Sequence, residues 1–191
     1  MLPIHKFARW AACALVGILS VITAANAQNR IAAENLVSRM PEGFHVVHSD
    51  TVNRDTIVEM VPVSQSRERW QTQLKVNILR RTSLSAQEFQ IQLAAGFARA
   101  CPVSNRNRVS NGIENGYEFA VDLLMCAELP DSGQASSVLV KTIRGHDALY
   151  SLQVSMIGDI GVDETFEWVS YMRGIQVCDT RKPKHPCPDG W

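Results

Sequence analysis

Two of the five histidines have the spacing of a metal-binding pair. His45 and His48 form an H-x-x-H pattern, and a neutral imidazole is the commonest metal ligand among protein side chains. The surrounding residues, Phe44–Ser49, are predicted to form a β-strand, and residues three apart on a regular strand point to opposite faces of its sheet. We therefore expect the two imidazoles to point away from each other and to bind no common ion.

The other histidines and carboxylates stand outside recognisable catalytic motifs. His146 precedes Asp147 in a predicted turn and His185 lies near the C-terminus, and the sequence contains no G-x-S-x-G, H-E-x-x-H or Gly-rich phosphate motif. Glu118 and Asp122 share one face of a predicted strand, the minimum that a carboxylate pair needs for acid–base work. We expect them to mark where that face meets solvent. The sequence thus predicts no catalytic, cofactor-binding or metal-binding residue.

Arginines and large aromatic residues could each form a binding site. The arginines that could gather as an anion-binding patch are Arg80, Arg81, Arg99, Arg106 and Arg108. The chain carries 19 acidic residues against 19 basic ones, so we expect these arginines to be scattered and solvated. Trp70, Trp168 and Tyr171 are expected to pack helix against sheet rather than to cage a ligand.

The first 27 residues have the three parts of a secretory signal peptide. Lys6 and Arg9 give a positive start, residues 11–25 are apolar, and Ala25-Asn26-Ala27 is a cleavage motif. We expect cleavage after Ala27 and a periplasmic product of 164 residues, with 17 basic and 19 acidic side chains. A near-neutral chain lacks the basic surface that nucleic-acid binding requires. No later apolar run is long enough for a membrane-spanning helix.

Four cysteines remain once the signal segment is removed. An even number in an exported chain favours two disulfides, for which three pairings exist. Cys101 ends a predicted helix and Cys126 a predicted strand, so a bond between them would tie the helix to the sheet. A bond between Cys178 and Cys187 would fix the C-terminal tail. The sequence has no C-x-x-C motif, which redox and zinc sites commonly use, and we expect the cysteines to be structural.

The hydrophobic periodicity predicts alternating groups of strands and helices. Residues 70–80 alternate apolar and polar side chains, as a half-buried strand does. Ser85-Ala86-Gln87-Glu88 is a capping box, and the apolar residues Phe89, Leu93 and Phe97 follow at helical spacing. A final helix is predicted over residues 163–173, and residues 28–40 are predicted to form a short helix or lead-in. The predicted strands are 44–49, 56–63, 70–80, 117–129, 137–144 and 148–157, with turns at Asn111-Gly112 and Asn115-Gly116.

This order of elements predicts the α+β fold class. We expect a largely antiparallel sheet of six or seven strands, with helices packed on its faces and two disulfides. The expected organisation is a signal peptide over residues 1–27, a single α+β domain over 28–178, and a Pro-rich tail over 179–191 tied by a disulfide.

Several segments together resemble a family of exported proteins of Gram-negative bacteria. They are MPEGF (40–44), EMVPVSQSRERW (59–70), ACP (100–102), ENGYEFAVDLLMC (114–126), GHDALYSLQ (145–153) and VCDTR (177–181). The resemblance implies export and disulfides, but the family carries no assigned activity and so transfers no residue role. The order of elements is also similar to Mog1/PsbP-like α/β/α folds, an analogy of fold alone.

These observations favour a non-catalytic periplasmic binding or envelope-accessory protein, which engages a protein or envelope component through its surface. The alternative is a small periplasmic hydrolase or enzyme inhibitor whose site forms only in the fold. A pocket with convergent polar groups of shifted pKa would favour the enzyme. An exposed apolar patch or an unpaired edge strand would favour the binding protein.

Overall fold

The computed structural model describes residues 32–189, so the predicted signal peptide and its cleavage site lie outside the described residues. Within 32–189 the chain forms nine strands and two helices. In chain order they are β1 (Glu34–Val37), β2 (Phe44–Val52), β3 (Asp55–Pro62), β4 (Thr72–Leu79), α1 (Ala86–Ala100), β5 (Ser104–Glu114), β6 (Tyr117–Cys126), β7 (Ser136–Arg144), β8 (Leu149–Ile157), α2 (Val162–Arg173) and β9 (Gln176–Asp179).

Seven of these strands form one antiparallel sheet in the order β2-β3-β4-β8-β7-β6-β5, and β1 pairs with β9 in a separate two-stranded sheet. The predicted α+β class, the predicted number of sheet strands and the two disulfides are confirmed. Short turns join most strands that are neighbours in the sheet, and each turn lies at one of the two ends of the sheet. The turns β5–β6 and β7–β8 lie at one end, which we call the hairpin end.

The two helices cover opposite faces of the sheet. On one face, Leu139, Ile143 and Leu152 form a buried core with Met172 of α2. On the other face, the buried amide of Gln90 in α1 donates to the carbonyl oxygens of Ala120 (2.7 Å) and Val140 (3.1 Å). The same amide lies 3.4 Å from the hydroxyl of Thr142, which is adjacent on β7 to Ile143 and so points to the opposite face. This contact places α1 across the sheet from α2.

The first turn of α1 forms as its sequence predicts. The Ser85 hydroxyl accepts from the Glu88 amide (3.1 Å), and the Glu88 carboxylate accepts from the Ser85 amide (2.8 Å). The backbone hydrogen bond from Ser85 lowers the pKa of Glu88. Gln90 is fully buried, however, while the predicted ridge beginning at Phe89 is half-buried. The helix therefore sits on the sheet through a polar side chain that periodicity does not identify.

Two local predictions are wrong, and strand β5 is missing from the predicted set. Residues 28–40 are predicted to form a short helix or lead-in, but their described part contains strand β1 over Glu34–Val37, which pairs with β9 at the far end of the chain. Asn111-Gly112 lies inside β5, and only Asn115-Gly116 forms a turn, with φ of 47° and 80°. β5 is an edge strand with exposed side chains on both faces, so it lacks the alternation that marks a half-buried strand.

In residues 32–189 no helix combines the length and the apolar character needed to cross a membrane.

Candidate functional site

The four cysteines are paired as expected. Cys101 and Cys126 join the end of α1 to the end of β6, with Cα atoms 5.8 Å apart. Cys178 of β9 bonds to Cys187, with Cα atoms 4.9 Å apart. Cys101, Cys126 and Cys178 are buried. Both bonds are therefore structural, and two such bonds are compatible with an oxidising compartment outside the cytoplasm.

A β-bulge changes the geometry of the H-x-x-H pair. In the pairing of β2 with β3, His45 lies opposite Val61 and His48 lies opposite Glu59, because the register shifts by one residue between them. Val61 and Glu59 are two apart on a regular strand and share a face. The prediction that the histidines point to opposite faces is therefore wrong.

The carboxylate nearest this pair is already engaged. Glu59 accepts from the side chains of Arg67 (2.9 Å) and Lys75 (3.0 Å). Burial acts to raise the pKa of Glu59, but Lys75 and Arg67 outweigh it and the pKa is lowered. Among the described residues, no group of three or more His, Cys, Asp or Glu side chains is placed to hold a metal ion.

Asp122 is buried rather than solvated, which corrects the prediction for the carboxylate pair. Its side chain is fully inaccessible and pairs with Arg106 (Nη2–Oδ2 2.6 Å) and with Nε of Arg108. Both arginines reach across from the edge strand β5 to the face covered by α1. Two of the five arginines considered for an anion patch are thus committed to one internal carboxylate.

Lys141 is a buried cation that completes a helix end. Its Nζ lies 2.6 Å from the Glu114 carboxylate, and it donates to the carbonyl oxygens of Met172 (3.0 Å) and Ile175 (2.6 Å). The Met172 carbonyl also accepts from the amide of Ile175 (3.3 Å), and the Ile175 carbonyl lies just beyond the C-terminus of α2. Burial lowers the pKa of Lys141, and Glu114 opposes that shift. All three ammonium hydrogens have acceptors, which makes this lysine a structural cap.

The densest group of titratable side chains lies at the hairpin end. Glu34 of β1 is buried there, and its Oε2 accepts from the amide of His146 (2.6 Å). Its Oε1 accepts from the amide of Asp147 (3.0 Å) and the hydroxyl of Tyr150 (3.1 Å). Burial raises the pKa of Tyr150, and the Glu34 charge adds to that shift. Both oxygens of this carboxylate are therefore used to hold the β7–β8 turn.

The C-terminal tail folds onto the same end of the sheet. The ring of His185 packs against those of Tyr117 (4.5 Å between centroids) and His146 (5.4 Å). Nδ1 of His185 lies 2.8 Å from the carbonyl oxygen of Asn115. At Gly116, with φ of 80°, any Cβ would lie 2.5 Å from the His185 ring. The sequence does not predict this meeting of His146 and His185, since it depends on the tail closing over a turn distant in the chain.

Trp168 and Tyr171, two of the three aromatic residues considered for a ligand cage, belong to the packing of α2. Trp168 contacts Phe44 and Tyr171 edge to face, with ring centroids 5.8 Å and 5.6 Å apart. The Tyr171 hydroxyl donates to the carbonyl oxygen of Arg39 (2.8 Å). Burial raises the pKa of Tyr171 to about 12.

An open cavity of about 390 Å³ lies at the end of the sheet opposite the hairpin end, where α2 begins. This volume is within the range of roughly 300–1,000 Å³ found for ligand pockets. Its apolar walls come from Val103, Leu123, Met125 and Ile160, and its lining includes Ser137. Ser137 is only 6% exposed, and its hydroxyl has no hydrogen-bond partner. The cavity therefore offers an apolar enclosure, and the Ser137 hydroxyl beside it is shielded from solvent.

Exposed apolar side chains lie beside this cavity along α2 and just before β5, and we call the cavity together with this surface the α2 groove. Val162 and Phe166 lie on the helical stripe that continues to Val169, and Val169 lines a separate cavity of about 220 Å³ with Val109 of β5. Val162 is 71% exposed, Phe166 66% and Val103 70%. Exposed apolar side chains beside a cavity make this surface a candidate contact site.

The mouth of the α2 groove is acidic. Segments 127–137 and 157–167 surround the cavity and contain no Lys, Arg or His. Their carboxylates are Glu128, Asp131, Asp159, Asp163, Glu164 and Glu167. None of these six forms an ion pair with another described residue. The sequence analysis missed this site, although the absence of basic residues from both segments is visible in the sequence.

Comparison with known proteins gives likenesses of fold. No protein-family model matches the chain, and no curated protein matches its sequence. Among solved structures the chain is similar to a variant of protein Mog1 (15% identity, TM-score 0.48, 76% of this chain and 92% of that chain). It is also similar to the Ran-binding protein Mog1p of Saccharomyces cerevisiae (13%, 0.45, 77% and 96%). A third is the cyanobacterial PsbP protein of Synechocystis (12%, 0.46, 87% and 98%).

The expected similarity to Mog1/PsbP-like folds is thus found. At these identities and TM-scores the likenesses carry no conclusion about function. Membership of the exported family stays a prediction.

Proposed function

We propose that this chain is a non-catalytic periplasmic binding or envelope-accessory protein, and that it engages a protein or envelope component through the α2 groove. The observation that carries the proposal is the groove itself. Val103 lines the 390 Å³ cavity, and the exposed apolar side chains of Val162 and Phe166 lie on α2, whose Thr165 also lines it. Exposed apolar surface next to a preformed pocket is typical of a contact site.

The titratable groups support binding rather than catalysis. None of the described residues whose pKa is shifted lines the 390 Å³ cavity. Lys141 lines the 220 Å³ cavity, but all three of its ammonium hydrogens are bonded within the protein. An active site normally places shifted groups in its cleft. At the hairpin end, the carboxylate of Glu34 has donors on both oxygens, so a general base there would first have to break those bonds.

The test is co-purification from a periplasmic extract of the parent organism with the mature chain as bait. We compare wild type with Phe166→Ser and with the matched control Ile113→Ser. Ile113 is 71% exposed, but it lies on β5 opposite Glu118, away from the groove. A specific component should be retained by wild type and by Ile113→Ser and lost with Phe166→Ser, while circular dichroism shows all three folded.

The alternative small hydrolase predicts a different result. Purified mature chain would then cleave an ester or peptide reporter, and Glu34→Gln would abolish that cleavage without unfolding the chain. This outcome, or a retained component that is insensitive to Phe166→Ser, contradicts the proposed function.

A further inference from the structure

We propose that the Cys178–Cys187 disulfide, beyond its structural role, is a redox-sensitive lock. A dithiol reductant opens it in the folded protein, and the tail then leaves the hairpin end, while the Cys101–Cys126 disulfide stays closed. The lock belongs to the hairpin end and is independent of the α2 groove and of the proposed function. Three features carry the inference, namely the burial of the cysteines, the contacts of the tail and a cavity that the tail closes.

The two disulfides differ in their access to a reductant. Thiol–disulfide exchange requires a thiolate to reach one of the two sulfur atoms. Cys101 and Cys126 are 1% and 2% exposed and join α1 to β6, so a reductant reaches them only when α1 leaves the sheet. Cys178 is also buried, but Cys187 is half-buried and lies in the tail, outside the helices and strands. Attack at Cys187 therefore needs no opening of the core.

Apart from the disulfide, side chains hold the tail to the large sheet. Nδ1 of His185 lies 2.8 Å from the carbonyl oxygen of Asn115, and the Asn115 amide donates to the carbonyl oxygen of Pro186 (3.2 Å). Among the described residues, no backbone–backbone hydrogen bond joins residues 182–189 to the seven-stranded sheet. A segment held in this way opens locally at a low free energy. Breaking the disulfide thus frees the tail without breaking a strand pairing.

The reaction is a two-electron exchange. A thiolate of the dithiol attacks Sγ of Cys187, a bond forms between these two sulfurs, and the bond to Cys178 breaks. Cys178 leaves as a thiolate and takes a proton from water. The second thiolate of the reductant then attacks the reductant's own sulfur in the mixed disulfide, and Cys187 leaves and is protonated in turn. The protein disulfide is reduced to two thiols, and the dithiol is oxidised to a disulfide.

Release of the tail opens a cavity of about 660 Å³. The walls of this cavity come from β1, from the end of α2 and from the tail, and they include Leu36, Val37, Tyr171, Ile175, Pro188 and Asp189. Pro188 directly follows Cys187, so the disulfide holds the tail wall in place. Reduction removes this wall and leaves an open groove between β1 and α2. The redox state of the tail bond therefore controls access to the groove.

The first test is the order in which the disulfides of the folded mature chain are reduced by dithiothreitol. Free thiols are trapped with N-ethylmaleimide at successive times and located by peptide mapping. We expect Cys178 and Cys187 to be labelled at least about a hundredfold faster than Cys101 and Cys126, because the second bond becomes accessible only when the core opens. Oxidised glutathione should restore the tail bond.

Two further measurements follow the tail itself. When only the tail bond is reduced, amide exchange at residues 115–117 and 174–176 should be at least about tenfold faster, while exchange in β4 and β8 stays unchanged. Trypsin should cut after Lys184 at least about tenfold faster in this form than in the oxidised chain.

Matched variants separate loss of the tail bond from other effects of the reductant. Cys178→Ala combined with Cys187→Ala should show the fast tryptic cut without reductant. The control, Cys101→Ala combined with Cys126→Ala, should keep the slow cut until dithiothreitol is added. Circular dichroism checks that both are folded, and the reduced wild type gives the same comparison where a variant is not.

Several results would overturn the proposal. Labelling of all four cysteines at one rate, or a tail bond that resists dithiothreitol until urea unfolds the chain, would show that the bond is structural only. Reduction that leaves exchange at residues 115–117 and 174–176 unchanged would show that the bond does not lock the tail. None of these results bears on co-purification through Phe166, which tests the proposed function separately.

Discussion

At the scale of single residues, buried charges in this protein hold strands and helix ends in place. Asp122 fixes the edge strand β5 through two arginines, and Lys141 closes the C-terminus of α2. Asp122 and Lys141 each have a partner of opposite sign. Such groups are costly to disturb, because removing one partner leaves the other buried and uncompensated.

We predict that Asp122→Asn lowers the free energy of unfolding by about 1–3 kcal/mol. The change keeps the shape of the side chain and removes the charge that accepts from Arg106 and Arg108. The arginines are about 30% exposed, so water offsets part of the loss and the upper range for fully buried pairs does not apply.

The matched control for this prediction is Glu118→Gln, the same chemical change on the same face of β6. Glu118 lies outside the ion pairs of the described residues, so the change should cost less than about 0.5 kcal/mol. Urea unfolding of both variants measures the two losses in the free energy of unfolding. Equal losses would show that the arginine contacts contribute nothing to stability.

At the scale of elements, long periodic segments are predictable from sequence, and segments defined by distant partners are not. β4 and α1 follow their alternation and capping box because their own side chains meet the core or the first turn. β1 and β9 have four residues each and exist through their pairing with each other across the length of the chain. No local pattern contains that information.

The bulge in β2 explains why the orientation of the histidine pair is harder to predict than the strand itself. One extra residue in β2 brings His45 and His48 to the same face, whereas periodicity alone assigns them to opposite faces. The α2 groove exists where α2 leaves the end of the sheet uncovered, and how far a helix covers a sheet is set by tertiary packing. Only the acidic composition of its mouth is readable in advance.

The hydrogen bonds between Asp179 of β9 and Arg181 of the tail should make the free energy of unfolding depend on pH. Hydrogen bonds from the Arg181 side chain hold the pKa of Asp179 down at about 2, although burial acts in the opposite direction. A carboxyl group whose pKa is lowered by folding stabilises the native state above its unfolded pKa of about 3.9, and that contribution is lost as pH falls towards 2.

We therefore expect Arg181→Gln to be less stable than wild type at pH 6, with a difference that shrinks between pH 4 and pH 2. Urea unfolding at each pH measures it. The control Lys184→Gln changes an exposed charge in the same tail and should show a smaller difference. A wild-type advantage over Arg181→Gln that stays constant down to pH 2 would rule out Asp179 as the titrating group.

At the scale of the whole molecule, the two ends of the sheet have opposite characters. The hairpin end is closed by Glu34, by the edge-to-face rings of His146 and His185, and by the bond between Cys178 and Cys187. The other end keeps an open cavity with carboxylates around it that form no ion pair among the described residues.

The two disulfides should differ in their contribution to stability. Cys101 and Cys126 are 25 residues apart, and Cys178 and Cys187 are nine apart. The loop-entropy model gives roughly 3.5 kcal/mol for the longer loop and roughly 2.6 kcal/mol for the shorter. Replacing both cysteines of a pair by Ala should therefore cost about 1 kcal/mol more for the Cys101–Cys126 bond. The gap is this small because the loop-closure entropy grows only with the logarithm of loop length.

Denaturant unfolding of the two double variants measures this difference, provided that their m-values match and the unfolded states are comparable. Amide hydrogen exchange adds a second measurement, which shows whether the hairpin end of the sheet opens separately from the core. Loss of Cys178–Cys187 should speed exchange in β1, β9 and the β5–β6 turn before the core, because His185 then no longer holds that turn. A larger loss from the tail pair, together with faster exchange throughout the sheet, would mean that the hairpin end supports the whole fold.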